Sequence, residues 1–149
     1  MRKIIIALIF VIFIILRLGA LYNVSAFEDH DSIQYLTMIR NIVEGDFQTL
    51  FSYNPDKTFI FPFLGSLTYP LTQSVEISAR LVSFLSSIVL FFCLFALSNR
   101  LTNKNVTLVV MFFFSVHPLL VSHSIGILTE PLYISIIYSK YFLQLNLFF

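Results

Sequence analysis

Five of the chain's eight carboxylates fall within FEDHDSIQYLTMIRNIVEGDF, residues 27–47: Glu28, Asp29, Asp31, Glu44 and Asp46. The other three are Asp56, Glu76 and Glu130. Clustered carboxylates can cap helices, hold a divalent cation, or supply a general base. Asp31 stands just before a stretch of helical periodicity, with Gln34 three residues on, which is the spacing of an N-cap and its capping-box partner. A capping Asp keeps its second oxygen available, so cap and base are compatible readings of this residue. Glu130 lies between Thr129 and Pro131, a helix-start signature that favours an acid electrostatically. Glu76 and Arg80 are spaced i, i+4 and should pair; beyond that pair, Arg80 reads equally as an interfacial anchor or as a phosphate-facing cation. His117 and His123 are not accompanied by a third matching ligand, which argues against zinc.

The elements that position these groups are set by an apolar composition. The chain is 149 residues long and 58% hydrophobic, with 11% charged residues, against about 25% charged in soluble domains. Its mean hydropathy is +0.88. Eighteen Phe and no Trp leave Tyr22, Tyr53, Tyr69 and Tyr133 as interfacial anchors. A net charge of +1 without a basic run gives no case for nucleic acid. Cys93 is the single cysteine, so no internal disulfide forms.

Four apolar segments, 4–22, 81–98, 106–122 and 131–149, approach the ~20 residues that cross a bilayer as helix. Lipid offers the backbone no hydrogen bonds, so the sequence predicts an all-α integral membrane protein of about four transmembrane helices. Arg2 and Lys3 precede the first segment, and Arg100 and Lys104 separate the second from the third. Both places should be cytoplasmic, which puts the N-terminus inside and makes residues 23–80 and the turn near 123–130 exterior. All eight carboxylates then lie on the exterior side. Arg2-Lys3 and the following apolar run also resemble a secretory signal with Val24-Ser25-Ala26 as a cleavage site; the three later segments favour a retained helix in a multi-pass plasma-membrane protein.

Within the exterior loop, Ile33, Leu36, Ile39 and Val43 recur at helical spacing, predicting a short amphipathic helix on the outer surface, ended by Gly45. Pro55, Pro62 and Pro70 should break the following stretch into short pieces, and Pro118 should kink or end the third membrane helix. Arg17, one turn from the outer end of the first helix, either snorkels to the interface or faces a partner in the protein. Lys140 falls in the middle of the fourth segment.

These blocks resemble the GT-C membrane glycosyltransferases, specifically the family 39-like branch of protein O-mannosyltransferases and lipid A aminoarabinose transferases. The first acidic motif is matched by Asp31-Ser32-Ile33-Gln34-Tyr35, then Ile39-Arg40-Asn41-Ile42, then Gly45-Asp46-Phe47. A second block is matched by the run from Tyr53 to Pro62 containing Asp56-Lys57, a third by Ala79-Arg80-Leu81, and a fourth by Thr129-Glu130-Pro131-Leu132. Ser32 replaces a frequent Glu, and Thr58-Phe59 replace two prolines.

The resemblance implies transfer of a sugar from a polyprenyl-phosphate donor to an exterior acceptor with inversion. Asp31 would act as base and Glu130 as a supporting acid of the catalytic site. Lys57 and Arg80 would face the donor phosphate, and Asp56 would help hold a divalent cation where one is used. Members carry many more membrane helices, and this chain stops within an apolar run. The expectation is therefore an N-terminal fragment, truncated or frameshifted, that is inactive alone. The competing reading is a small non-enzymatic membrane protein whose exterior loop binds a partner or assists assembly.

Overall fold

The computed structural model describes residues 2–23, 30–46, 58–127 and 129–147. Among these residues the chain is all helix: α1 (Arg2–Asn23), α2 (His30–Glu44), α3 (Ile60–Thr72), α4 (Val75–Leu101), α5 (Lys104–Val116), α6 (Pro118–Ile125) and α7 (Glu130–Leu147). Two of them, α1 and α4, are long and apolar enough to cross a membrane, and α5 with α6 makes a third crossing if that bent pair is one span. The fourth expected segment is helical as α7 and carries Glu130 and Lys140, but α7 is not among those spans.

α1 shows how the sequence divides its faces. Ile9, Phe13 and Arg17, at i, i+4 and i+8, are buried, while Ile4, Leu8, Val11, Ile15 and Leu18 are exposed as a lipid-facing surface. α4 starts at Val75, earlier than the apolar run alone indicated, because the Ser74 hydroxyl accepts from the Ile77 amide at 3.4 Å and caps it. Its inward face is rich in serine: Ser78, Ser83, Ser86 and Ser87 are buried. Ser86 and Ser87 return their hydroxyls to the Val82 and Phe84 carbonyls, both at 2.7 Å. Small side chains that satisfy themselves let helices approach closely in lipid, and α4 packs on α7 and α3 in this way.

Pro118 ends α5 and opens α6, and the two axes differ by 59°. Proline has no N–H, so the Phe114 carbonyl loses its ordinary helical donor there. Asn103 caps the other end of α5, accepting from the amides of Asn105 at 3.1 Å and Val106 at 2.9 Å.

Two apolar clusters hold these elements. One joins α1, α4 and α5 through Ile9, Phe13, Leu90, Phe91, Met111 and Phe114. The other lies where α2, α3, α4 and the start of α7 meet, around Tyr35, Met38, Ile39, Phe61, Ala79, Val82, Ile127 and Leu132.

The second cluster revises two expectations about the loop. α2 forms, and Gly45 ends it at φ +78°. The Gly45 amide donates to Ile42 O at 3.2 Å and the Asp46 amide to Asn41 O at 2.9 Å, a Schellman closure. However, Ile33 and Val43 of the expected apolar stripe are 47% and 37% exposed, while Ser32, Tyr35, Met38, Ile39 and Asn41 are buried. The inward face is rotated because α2 packs on α3 and α4, so protein contacts set which side turns in. The prolines also do not fragment α3. Pro62 sits in its first turn, where no amide donor is needed, and Pro70 sits near its end. Pro55 lies outside the described residues.

α2 and α3 cross closely at Gly65. A Cβ added there would meet Ile39 Cδ1 at 2.5 Å and Cγ1 at 2.9 Å, so any side chain at 65 would have to displace the buried Ile39.

Candidate functional site

The candidate chemistry falls near the starts of α2, α4 and α7. α2 begins at His30, so Asp31 sits within the first turn rather than at the cap position before it. Its side chain is exposed. Glu130 occupies the first position of α7, with Pro131 next and the Tyr133 amide donating to Thr129 O at 3.0 Å. The hydroxyl of Ser32, beside Asp31, donates to the Ile127 carbonyl at 3.3 Å. Ile127 lies in the short connection leading to Glu130 and is buried in the outer cluster with Tyr35 and Leu132. The first turns of α2 and α7 are thereby drawn to the same end of the bundle, and each directs the positive end of a helix dipole toward its carboxylate.

Glu130 also lines a cavity of about 280 Å³ whose other polar groups are Arg17, Ser87, His123 and Ser124. Its walls are Leu90, Phe114, Leu119, Leu120, Pro131 and Ile134. Arg17 is fully buried and does not snorkel. Its Nη1 donates to Phe13 O at 3.3 Å and Ser115 O at 3.1 Å, and its Nη2 to Phe114 O at 3.3 Å. The Phe114 carbonyl is the one that Pro118 deprives of a donor, and it sits with Ser115 O at the negative end of α5, a favourable place for a cation. The guanidinium carbon lies 3.6 Å from the Phe13 ring centroid and 5.5 Å from that of Phe114. Arg17 Nε is buried without a hydrogen-bond partner among the described residues, and so is His123 Nδ1.

The other sequence-predicted residues are placed elsewhere. Arg80 is buried near the N-terminal end of α4 and bonds Glu76 Oε1 through Nε at 3.0 Å and Nη2 at 2.8 Å, the expected i, i+4 pair. Glu76 in turn lines a polar groove of about 440 Å³ with Arg40, Glu44 and Tyr69, between α2, α3 and α4. Lys57 and Asp56 lie outside the described residues. Among the described residues no three His, Cys, Asp or Glu side chains are grouped to hold a metal. The structure thus bonds Ser32, next to Asp31, to Ile127, three residues before Glu130, and adds Arg17 and His123 to the Glu130 cavity. Sequence reasoning weighed Arg17 without choosing a role and treated His123 only as a metal ligand. The available signal was the placement of Arg17 and Pro118, a cation and a helix break each near the C-terminal end of an apolar segment.

No curated protein and no solved structure matches the chain. The profile of the dolichyl-phosphate-mannose-protein mannosyltransferase family matches residues 56–147, which include α3 through α7. This all-helical membrane chain therefore belongs to that family, whose members are membrane glycosyltransferases of the GT-C type.

Proposed function

We propose that the chain contributes the acceptor-side acids of a glycosyltransferase that uses a polyprenyl-phosphate-linked sugar at the exterior face of the plasma membrane. The observation that carries this reading is the Ser32–Ile127 hydrogen bond, which ties the turn bearing Asp31 to the turn bearing Glu130. In the proposed step, Asp31 takes the proton from an acceptor hydroxyl. The hydroxyl oxygen bonds the anomeric carbon from one face as the bond to the phosphate oxygen breaks on the other. The configuration inverts and the lipid phosphate leaves. Glu130 orients the acceptor or the sugar hydroxyls from the opposite helix. Lys57 and Arg80 are assigned to the donor phosphate, with Arg80 held in place by Glu76. A divalent cation enters the reading only through Asp56, and no step depends on it. The N-terminus is cytoplasmic in this arrangement, so that Arg2, Lys3, Arg100 and Lys104 share the inner side.

The test is transfer of labelled mannose from dolichyl-phosphate mannose in membranes from cells that express the chain as part of a complete transferase, compared with the same protein carrying Asp31→Asn or Glu130→Gln. A positioned base contributes about 10²–10⁴-fold, so Asp31→Asn should lower transfer by at least about 100-fold, and Glu130→Gln by less. Transfer that is unchanged in Asp31→Asn removes the base from this account.

A further inference from the structure

The end of the bundle farthest from Glu76 along α4 is built from residues distant in the sequence. Arg2 Nη2, in the first turn of α1, donates to Asn99 Oδ1, in the last turn of α4, at 2.6 Å. Two residues past α4, Asn103 caps α5 with its Oδ1 accepting from the Asn105 and Val106 amides. With Thr102, Lys104 and Asn105 these residues line an open basin of about 630 Å³, a size within the ~300–1,000 Å³ of ligand pockets. Asn99 and Asn103 engage their side-chain oxygens with protein donors, so the ends of those amides that can still bond a ligand are N–H. Arg2 and Lys104 supply two cations, and Lys3 and Arg100 stand near them in the sequence. The chain carries no Asp or Glu before Glu28 or between Glu76 and Glu130, which covers every segment lining the basin. The partner of Arg2 is a neutral amide, which fixes the guanidinium without cancelling its charge. The positive end of the α5 dipole has the same sign.

We propose that this basin binds the phosphate headgroup of an anionic phospholipid, with Arg2 and Lys104 as its charged contacts. The inference goes beyond the transfer reaction proposed above. It takes from that reading only the cytoplasmic placement of these residues, which decides the leaflet and not the chemistry. The border of the basin selects a lipid over a soluble phosphate. Ile4 and Ile5 follow Arg2 directly, Leu101 and Val106 flank the turn between α4 and α5, and all four are exposed. Acyl chains can lie against that border while the headgroup occupies the polar floor. Basic pockets between membrane helices take anionic headgroups in this way. The rule that cations collect on one side of a membrane accounts for their presence at this end. It does not call for a bond between residues 97 positions apart or for cations gathered around a concavity. A headgroup held by Arg2 on α1 and Lys104 on α5 would also bridge two helices that pack on one another.

The probe is dioleoyl phosphatidylglycerol, titrated onto the full chain in neutral detergent micelles and counted by native mass spectrometry against dioleoyl phosphatidylcholine. Wild type should hold the anionic lipid at least about fivefold more tightly, on the order of what one basic residue contributes near an anionic surface. Glycerol phosphate, the headgroup without its tails, should compete only weakly. Arg2→Gln and Lys104→Gln should each weaken phosphatidylglycerol binding by at least about fivefold. Lys140→Gln, the same charge loss on α7, should change it by less than about twofold. Asn99→Asp keeps the side-chain shape and gives Arg2 a carboxylate partner. It should weaken binding at least about fivefold while the melting temperature does not fall.

Equal retention of the two lipids overturns the proposal, as does wild-type affinity in Arg2→Gln. A loss in Lys140→Gln as large as in Lys104→Gln would mean that net charge gathers the lipid, and overturns it as well. Glycerol phosphate competing as well as the lipid overturns the choice of a lipid. If Arg2→Gln does not fold, Asn99→Asp decides, and unchanged affinity there overturns the site. Mannose transfer without selective phosphatidylglycerol binding contradicts this inference alone. Selective binding through Arg2 in a protein that transfers no mannose contradicts the function proposed above and leaves this site standing.

Discussion

Arg17 and Arg80 are both buried arginines of one helical bundle, yet their surroundings treat the charge differently. Arg80 is answered by a carboxylate one turn back on its own helix, and Glu76 keeps a side chain 43% exposed to solvent. Arg17 is answered by carbonyls of a different, broken helix and by aromatic faces. The first is a local pair on one helix that uses two of the five guanidinium N–H groups. The second stitches α1 to the end of α5, and among the described residues no carboxylate answers it. Burial alone therefore does not say how a cation is held; its partners do.

Three substitutions probe that contrast, from the largest expected effect to the smallest. On the Arg17 side, Phe13 is fully buried, packs on Phe91 at 4.8 Å between centroids, and lies beneath the guanidinium. Phe13→Ala should destabilise the chain by about 3–5 kcal/mol in unfolding from mixed micelles, and a loss below about 1 kcal/mol would mean that this cluster does not hold α1. On the Arg80 side, Gly65→Ala should cost about 1–3 kcal/mol through overpacking, because the new methyl displaces Ile39. Trimming that neighbour with Ile39→Val should recover part of the loss, whereas strictly additive effects would argue against the crossing described here. The smallest effect belongs to Arg80→Met. The Glu76 it leaves behind can be solvated, so stability should change by less than about 1 kcal/mol. A change several times larger would make Arg80 the more heavily used cation and reverse the contrast.

Much of the fold was legible because its signals are local. The α1 span, the Glu76–Arg80 pair, the stop at Gly45 and the break at Pro118 each depend on residues within a turn of one another. The face of α2 was not legible. Ile33 and Val43 have the right spacing for a buried stripe, but α3 and α4 supply the surface that α2 meets, and they turn Ser32 and Asn41 inward instead. Nor do Pro62 and Pro70 announce that they fall at the two ends of α3. The site divides the same way. Asp31 and Glu130 stand out as acids beside helix starts, whereas the Arg17 cavity depends on carbonyls 97 and 98 positions away. No reading of the residues around Arg17 alone contains them.

The account turns on the first turns of α2 and α7 meeting at one mouth. Disulfide trapping tests this directly, with Ser32→Cys and Ile127→Cys introduced together in a Cys93→Ser background and oxidised in native membranes. Intramolecular cross-linking is expected, because the Ser32 hydroxyl reaches the Ile127 carbonyl at 3.3 Å and the Ile127 side chain packs in one cluster with Tyr35. A pair that stays reduced, or that links only between chains, would separate Asp31 from Glu130 and contradict the shared site.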